Sequence, residues 1–374
     1  MSTDWLHPDA VFHEGKLATD IAVGLRDGRV THMSSAAQHP DARRISGTLT
    51  PGYLDLQVNG GGGVLLNRQP DVAAMETVAA AHRRFGTVGI LPTVITDRPE
   101  VLERAAEAAI RARGRAGILG LHIEGPHISP ARKGTHETRF IRPIDAATFA
   151  VVERLRAADV TVMITLAPEE APEGAIRRLA ETGAIVSLGH TQANSAQMNQ
   201  GFAEGARAVT HLFNAMSPME NREPGATGAA IGSEAYCGFI CDGIHVSDAM
   251  LALAIRARPV PGRMFLVSDA MPTVGGPDRF DLYGAEISLK NGRLINAEGS
   301  LAGAHVTMAE SVARLVAVLG LEPEAALSMA VTVPAELIDR PDLGRVTDRD
   351  AADLLVLDAA LNVTGTLQDQ LVNA

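Results

Sequence analysis

Cysteine is almost absent: Cys237 and Cys241 are the only two in 374 residues. Two thiols cannot build a disulfide framework, and their rarity agrees with a reducing cytosol. Within the run Cys237-Gly-Phe-Ile-Cys241 they read as small buried apolar residues. Basic residues are also in short supply, 33 Lys and Arg against 44 Asp and Glu, for a net charge of -11. Nucleic acid and anionic membrane are therefore disfavoured as principal partners, since both need a basic surface, and an anionic substrate would need a local basic pocket. No apolar run approaches a membrane span and no signal peptide precedes Val11, so a cytoplasmic location is expected. Internal repeats, low-complexity tracts and long linkers are missing too.

What is present is a 46% hydrophobic chain, long enough for a sizeable core. Short alternating segments such as 21–25 and 28–32, with turn signals at Asp27-Gly28 and Ser46-Gly47, suggest small antiparallel strands near the start. The stretches 353–357 and 362–366 have the same character, so both termini are expected to pair into one small β-domain. Between them, apolar runs alternate with Ala/Glu/Arg-rich helical patterns, as at 71–85, 99–113 and 146–157. Such alternation argues for a parallel sheet, and its extent suits an eight-stranded barrel. The expected division is a small domain from 1–50 plus 340–374 and a barrel over 51–339.

Four polar residues stand at or just after short apolar runs: Glu124, His190, His211 and Asp269. A catalytic divalent ion takes about three protein ligands and leaves a position open for water, whose proton a nearby carboxylate accepts. Glu124, His190 and His211 would be the ligands and Asp269 the base, converging at the C-terminal ends of neighbouring parallel strands. Each has a plainer reading: the histidines could be polar helix entries, and Asp269 in Ser268-Asp269-Ala270 could be an N-cap. His122, on the strand face of Glu124, could support the ligands or pack in the core.

Taken in order, Pro51-Gly-Tyr-Leu-Asp-Leu-Gln-Val-Asn-Gly60, Leu121-His-Ile-Glu-Gly-Pro126, Lys133-Gly-Thr-His136, Gly189-His190, Thr210-His-Leu-Phe-Asn-Ala-Met216, Arg222-Glu-Pro-Gly225, Asp242-Gly-Ile-His245 and Ser268-Asp-Ala270 resemble the N-acetylglucosamine-6-phosphate deacetylases of the amidohydrolase superfamily. The match spans essentially the whole chain. The resemblance implies an α/β fold, a (β/α)8 TIM-like barrel with a small β-sandwich built from both termini. It also implies hydrolysis of the acetamido group of N-acetyl-D-glucosamine 6-phosphate by a metal-activated water, with Asp269 as base and then acid. His136 would polarise the carbonyl, although it could equally be an exposed loop residue. Arg222 and His245 would hold the phosphate, with Asn214 and Ala215 at the same end of the substrate. The alternative for Arg222 is a solvated loop charge paired with Glu223. In relatives that arginine can reach into a neighbouring subunit, which implies a homodimer.

Many amidohydrolases carry His-x-His where this chain has Gln57-Val58-Asn59. Amides are poor ligands for a borderline ion, so one divalent ion per subunit is expected, zinc first, with iron, cobalt or manganese as alternatives. His305 is not carried over as functional. Two other readings stay open: a deacetylase of another N-acetylhexosamine phosphate, such as the galactosamine epimer, and a sugar-phosphate-binding barrel without catalysis.

Overall fold

Parallel strands covered on both faces are largely apolar, and eight such segments, with a few buried polar side chains among them, form one sheet. They are Tyr53–Val58, Thr87–Ile95, Gly120–Glu124, Thr161–Leu166, Ile185–Leu188, Ala208–Val209, Tyr236–Phe239 and Met264–Leu266, paired in that order. The computed structural model describes residues 3–297, 299 and 301–372. Side chains alternate: Met163 joins the cluster of Leu91, Ile185 and Phe265, while Val162 and Ile164 pack with Val186 and the surrounding helices. Burying one such side chain stabilises by about 1.5–3 kcal/mol. The helices begin where the sequence places them. Asp71 accepts from the Ala74 N–H at 2.8 Å and Asp145 from the Thr148 N–H at 2.8 Å, capping Val72–Arg83 and Ala146–Ala157. Each cap contributes about 1 kcal/mol.

The ring closes between the first and last strands through a few contacts at the mouth. Val58 bridges Ala270, the Asn59 N–H donates to the Ala270 carbonyl at 2.9 Å, and the Asp269 N–H donates to the Gln57 carbonyl at 3.0 Å. Below them the buried Asp55 carboxylate accepts from the Ser268 N–H at 3.2 Å. These are the (β/α)8 features that the sequence implies.

Strands from both ends of the chain form a second, mixed sheet. Its order is Arg349–Asp350, Arg29–Ser35, Ile21–Arg26, Asp4–His13, Arg43–Pro51, Leu354–Leu357, Val363–Thr366, with Lys16–Ala18 paired to Asp4–His13. Asp350 stands at one edge and Leu354 next to the other edge, yet the chain between them can span no more than about 14 Å. The sheet therefore folds back on itself around Leu6, Val23, Val30, Leu49, Leu354 and Val356. The left-handed residue before the closing strands is Asp348 (φ 60°), while Arg349 is extended and pairs with Val30.

A third sheet was not expected. Arg279–Leu282, Ala285–Lys290 and Arg293–Ile295 form an antiparallel meander inserted after the last barrel strand. Its turns, Tyr283-Gly284 (φ 54° and 89°) and Asn291-Gly292 (φ 50° and 76°), have both central residues left-handed, as tight hairpins require.

Candidate active site

Glu124 is the last residue of its strand; His190, His211 and Asp269 each follow a strand end closely. All three of the latter have left-handed backbones, with φ of 48°, 30° and 51°. For a residue with a Cβ this costs on the order of 1–3 kcal/mol, and it turns the chain sharply off the strand at the barrel mouth. The four come together, but not from four neighbouring strands. His190 and His211 follow adjacent strands, Thr161–Leu166 separates His190 from Glu124, and Asp269 stands at the closure beside Gln57.

Glu124 Oε1 lies 3.2 Å from His190 Nε2 and 3.1 Å from His211 Nε2, and the two nitrogens are 3.0 Å apart, all buried. The Arg132 carbonyl, 2.9 Å from His190 Nδ1, can only accept, so that nitrogen carries the proton. In neutral His190 this leaves the Nε2 lone pair facing a carboxylate oxygen and another imidazole nitrogen. Such lone pairs repel unless a proton or a metal cation sits among them; with protons there, the same contacts become hydrogen bonds to Glu124. The donor set, two imidazoles and a carboxylate, fits a divalent metal ion. Burial alone would raise the Glu124 pKa, but hydrogen bonds and charge from His190 and His211 hold it well below the usual carboxylate range.

Asp269 is held from the first strand. Asn59 Nδ2 donates to its Oδ1 at 2.6 Å and Gln57 Nε2 to the same oxygen at 3.1 Å, while Gln57 Nε2 also reaches Glu124 Oε1 at 3.0 Å. A carboxylate only accepts, which fixes both amide orientations: the NH2 groups face Asp269. Among the described residues the side-chain hydrogen bonds of Asp269 all go to Oδ1, so Oδ2 keeps its capacity toward the cavity. Burial, followed by the charge of Glu124, raises the pKa of Asp269, and a carboxyl that exchanges its proton more readily near neutrality suits a base.

His136 is buried, with Nδ1 2.6 Å from the Thr96 hydroxyl; burial first and then His190 push its pKa well below the ordinary value, so the ring is neutral. The plain exposed-loop reading of His136 is thereby overturned. His122, two residues before Glu124 on the same strand, is buried and hydrogen-bonded. Its Nδ1 donates to the Leu56 carbonyl at 3.0 Å and its Nε2 meets the Thr165 hydroxyl at 2.7 Å; burial lowers its pKa to about 4.

These groups open into a cavity of about 170 Å³, where His245, Asn214 and Ala215 also sit. His245 is fixed by Asp242, whose Oδ2 accepts from Nδ1 at 2.6 Å. Arg222 is exposed and does not line the cavity of its own chain. The alternative pairing with Glu223 does not form: Glu223 Oε1 accepts from the Ser195 and Gly225 N–H groups at 2.8 and 2.9 Å. His305 bonds Thr273 and lines a separate cleft. A wider cleft of about 1060 Å³ lies on the small sheet around Trp5, with no comparable convergence of metal-ligand atoms among the described residues. Sequence reasoning missed Thr96, the Arg132 carbonyl, and the apolar wall of Ile95 and Met271.

Residues 48–373 match the amidohydrolase family. The chain is 39% identical over 359 residues to the N-acetylgalactosamine-6-phosphate deacetylase of Shewanella sp. (strain ANA-3), covering 93% of this chain and 90% of that one. It is 33% identical over 326 residues to the N-acetylglucosamine-6-phosphate deacetylase of Haemophilus influenzae, covering 85% and 84%. The crystal structure of N-acetylglucosamine-6-phosphate deacetylase from Pasteurella multocida superimposes with a TM-score of 0.89 at 30% identity over 98% of both chains.

Proposed function

This chain belongs to the amidohydrolase family, and from that membership we propose that it hydrolyses N-acetyl-D-glucosamine 6-phosphate to D-glucosamine 6-phosphate and acetate. The observation that carries the reading is the meeting of Glu124, His190 and His211 with the amide-held carboxylate of Asp269 at one barrel mouth. When bound by those three ligands, one divalent ion, zinc before iron, cobalt or manganese, would supply Lewis acidity to the amide carbonyl and the attacking water. Asp269 Oδ2 takes the proton of that water and returns it to the departing nitrogen. An amine leaves poorly unless protonated, so one carboxylate serves first as base and then as acid. Neutral His136, with the Thr96 hydroxyl donating to Nδ1, keeps its proton on Nε2 for the carbonyl oxygen as charge grows there.

His245, Asn214 and Ala215 hold the phosphate end. Arg222, exposed on its own chain, completes that end in a second copy, so the working form is a homodimer. The small domain is assigned to 1–50 plus 340–374 and the barrel to 51–339. Among the described residues no helix is long and apolar enough to cross a membrane, and both cysteines are free and buried, which supports residence in the cytoplasm.

The similarity to an N-acetylgalactosamine-6-phosphate deacetylase at 39% identity favours a second reading, in which the 4-epimer is the substrate. Acetate release measured on both N-acetylhexosamine 6-phosphates tests the two together. Faster release from the galactosamine compound moves the assignment to the epimer; no acetate from either overturns deacetylation and leaves a binding barrel.

A further inference from the structure

A hexosamine phosphate is polar nearly everywhere, and the methyl of its acetamide is its most apolar group. Most of the residues that line the cavity are polar or charged too. Among its described lining residues the large apolar side chains are Ile95, Met271 and Leu301, and of these Ile95 and Met271 are buried while Leu301 is 40% exposed at the rim. Around the barrel Ile95 stands across from Asn214 and Ala215, and Met271 follows the strand next to that of His245. Asn214, Ala215 and His245 follow the sixth and seventh strands; Ile95 ends the second and Met271 follows the eighth. An acetamide whose carbonyl lies over Glu124, His190 and His211 thus has its sugar toward Asn214 and Ala215 and the Ile95 end of this apolar pair on the other side.

The pair is also backed. Ile95 and Met271 belong to one buried cluster with Leu282, Ile287 and Leu294 of the inserted antiparallel sheet. Met271 lies against Gly303, where an added Cβ would come within 2.5 Å of its Cγ. The tip of the insert is tied down by the Tyr283 hydroxyl, which donates to the Thr96 carbonyl at 2.5 Å. A wall held on its far side cannot recede to admit a longer chain.

We infer that Ile95 and Met271, braced by the inserted sheet, form the acyl pocket and set the length of acyl group that the enzyme removes. The inference rests on the deacetylase reading. Its test compares kcat/KM for N-acetyl and N-propionyl glucosamine 6-phosphate in the wild type, Met271→Ala, Ile95→Val and Leu301→Ala. One methylene in an apolar pocket is worth about 10- to 200-fold. The wild type should prefer acetyl by that margin, and Met271→Ala should raise the propionyl-to-acetyl ratio at least about tenfold. Ile95→Val, a smaller change, should move the ratio the same way and keeps the idea testable if Met271→Ala does not fold. Ratios unchanged in both variants, or a shift only in Leu301→Ala, would overturn the pocket. Wild-type inactivity on both acyl substrates would instead sink the underlying reading, so the two failures are distinct.

Discussion

Replacing Asp269 by Asn separates proton transfer from everything else the residue does. The side chain keeps its size, and an amide oxygen in the place of Oδ1 still accepts from Asn59 Nδ2, now at 2.6 Å, and from Gln57 Nε2, at 3.1 Å. The atom turned to the cavity becomes an NH2, which cannot take a proton. General acid–base catalysis contributes about 10²- to 10⁴-fold, so kcat should fall by at least ~10². Stability should scarcely change. Each charge-assisted hydrogen bond that becomes neutral loses about 1–1.5 kcal/mol. Against that, the raised pKa of Asp269 shows that burial beside Glu124 already disfavours its charge, and the Asn removes that cost. Purified wild type and variant would be compared by acetate release, thermal melting and elemental analysis of bound metal. Turnover within tenfold of wild type, with metal retained, would refute Asp269 as the base. Loss of metal with a normal melt would show that Asp269 is itself a ligand.

Glu124→Ala or His211→Ala should release the ion, because a three-ligand site loses one anchor, and elemental analysis finding stoichiometric metal together with full activity would contradict the assignment. Arg222→Ala should cost about ten- to a hundred-fold in kcat/KM on the phosphorylated substrate, the worth of a charge-assisted hydrogen bond, and leave slow turnover of unphosphorylated N-acetylglucosamine nearly unaltered; equal losses on both would assign Arg222 to loop structure instead. Burial pushes the Asp55 carboxyl up from 3.8 to about 7, against hydrogen bonds from Ser268. Between those pH values the folded state binds the extra proton, so this group's contribution to stability falls as pH rises through that window. Asp55→Asn should therefore gain stability relative to wild type on going from pH 5 to pH 8, by more than about 1 kcal/mol in denaturant titrations, and a pH-independent difference would refute the shift.

The barrel, the small terminal sheet and the convergence of Glu124, His190 and His211 were legible because each leaves a periodic or positional trace: apolar runs with a polar residue at the C-terminal end. Gln57 and Asn59 were legible as a pair, since a spacing of two puts them where both reach Asp269. The inserted sheet was not. Each of its strands buries essentially one side chain, Leu282, Ile287 and Leu294, so no alternation rises above its charged neighbours, although Asn291-Gly292 is a hairpin signal in plain view. Nor could propensity place His190, His211 and Asp269 in left-handed backbone, because that region is a minority conformation even for His and Asp, which enter it more often than most residues. Arg222 was legible as a cation in its motif, but in the single chain it is exposed and away from the cavity.

The small sheet also bears on how the protein is made. Strand Arg43–Pro51 pairs with Asp4–His13 on one side and with Leu354–Leu357 on the other. During synthesis its first partner is already present, while the second emerges roughly 300 residues later, which at 5–20 residues per second is about 15–60 s. For that interval a strand carrying Ile45 and Leu49 offers a row of unpaired backbone groups to any neighbouring nascent chain. The ribosome-bound chain is thus at its most adhesive before the enzyme exists at all, and expression yield should depend on translation speed and holdase chaperones more than on the stability of the finished fold.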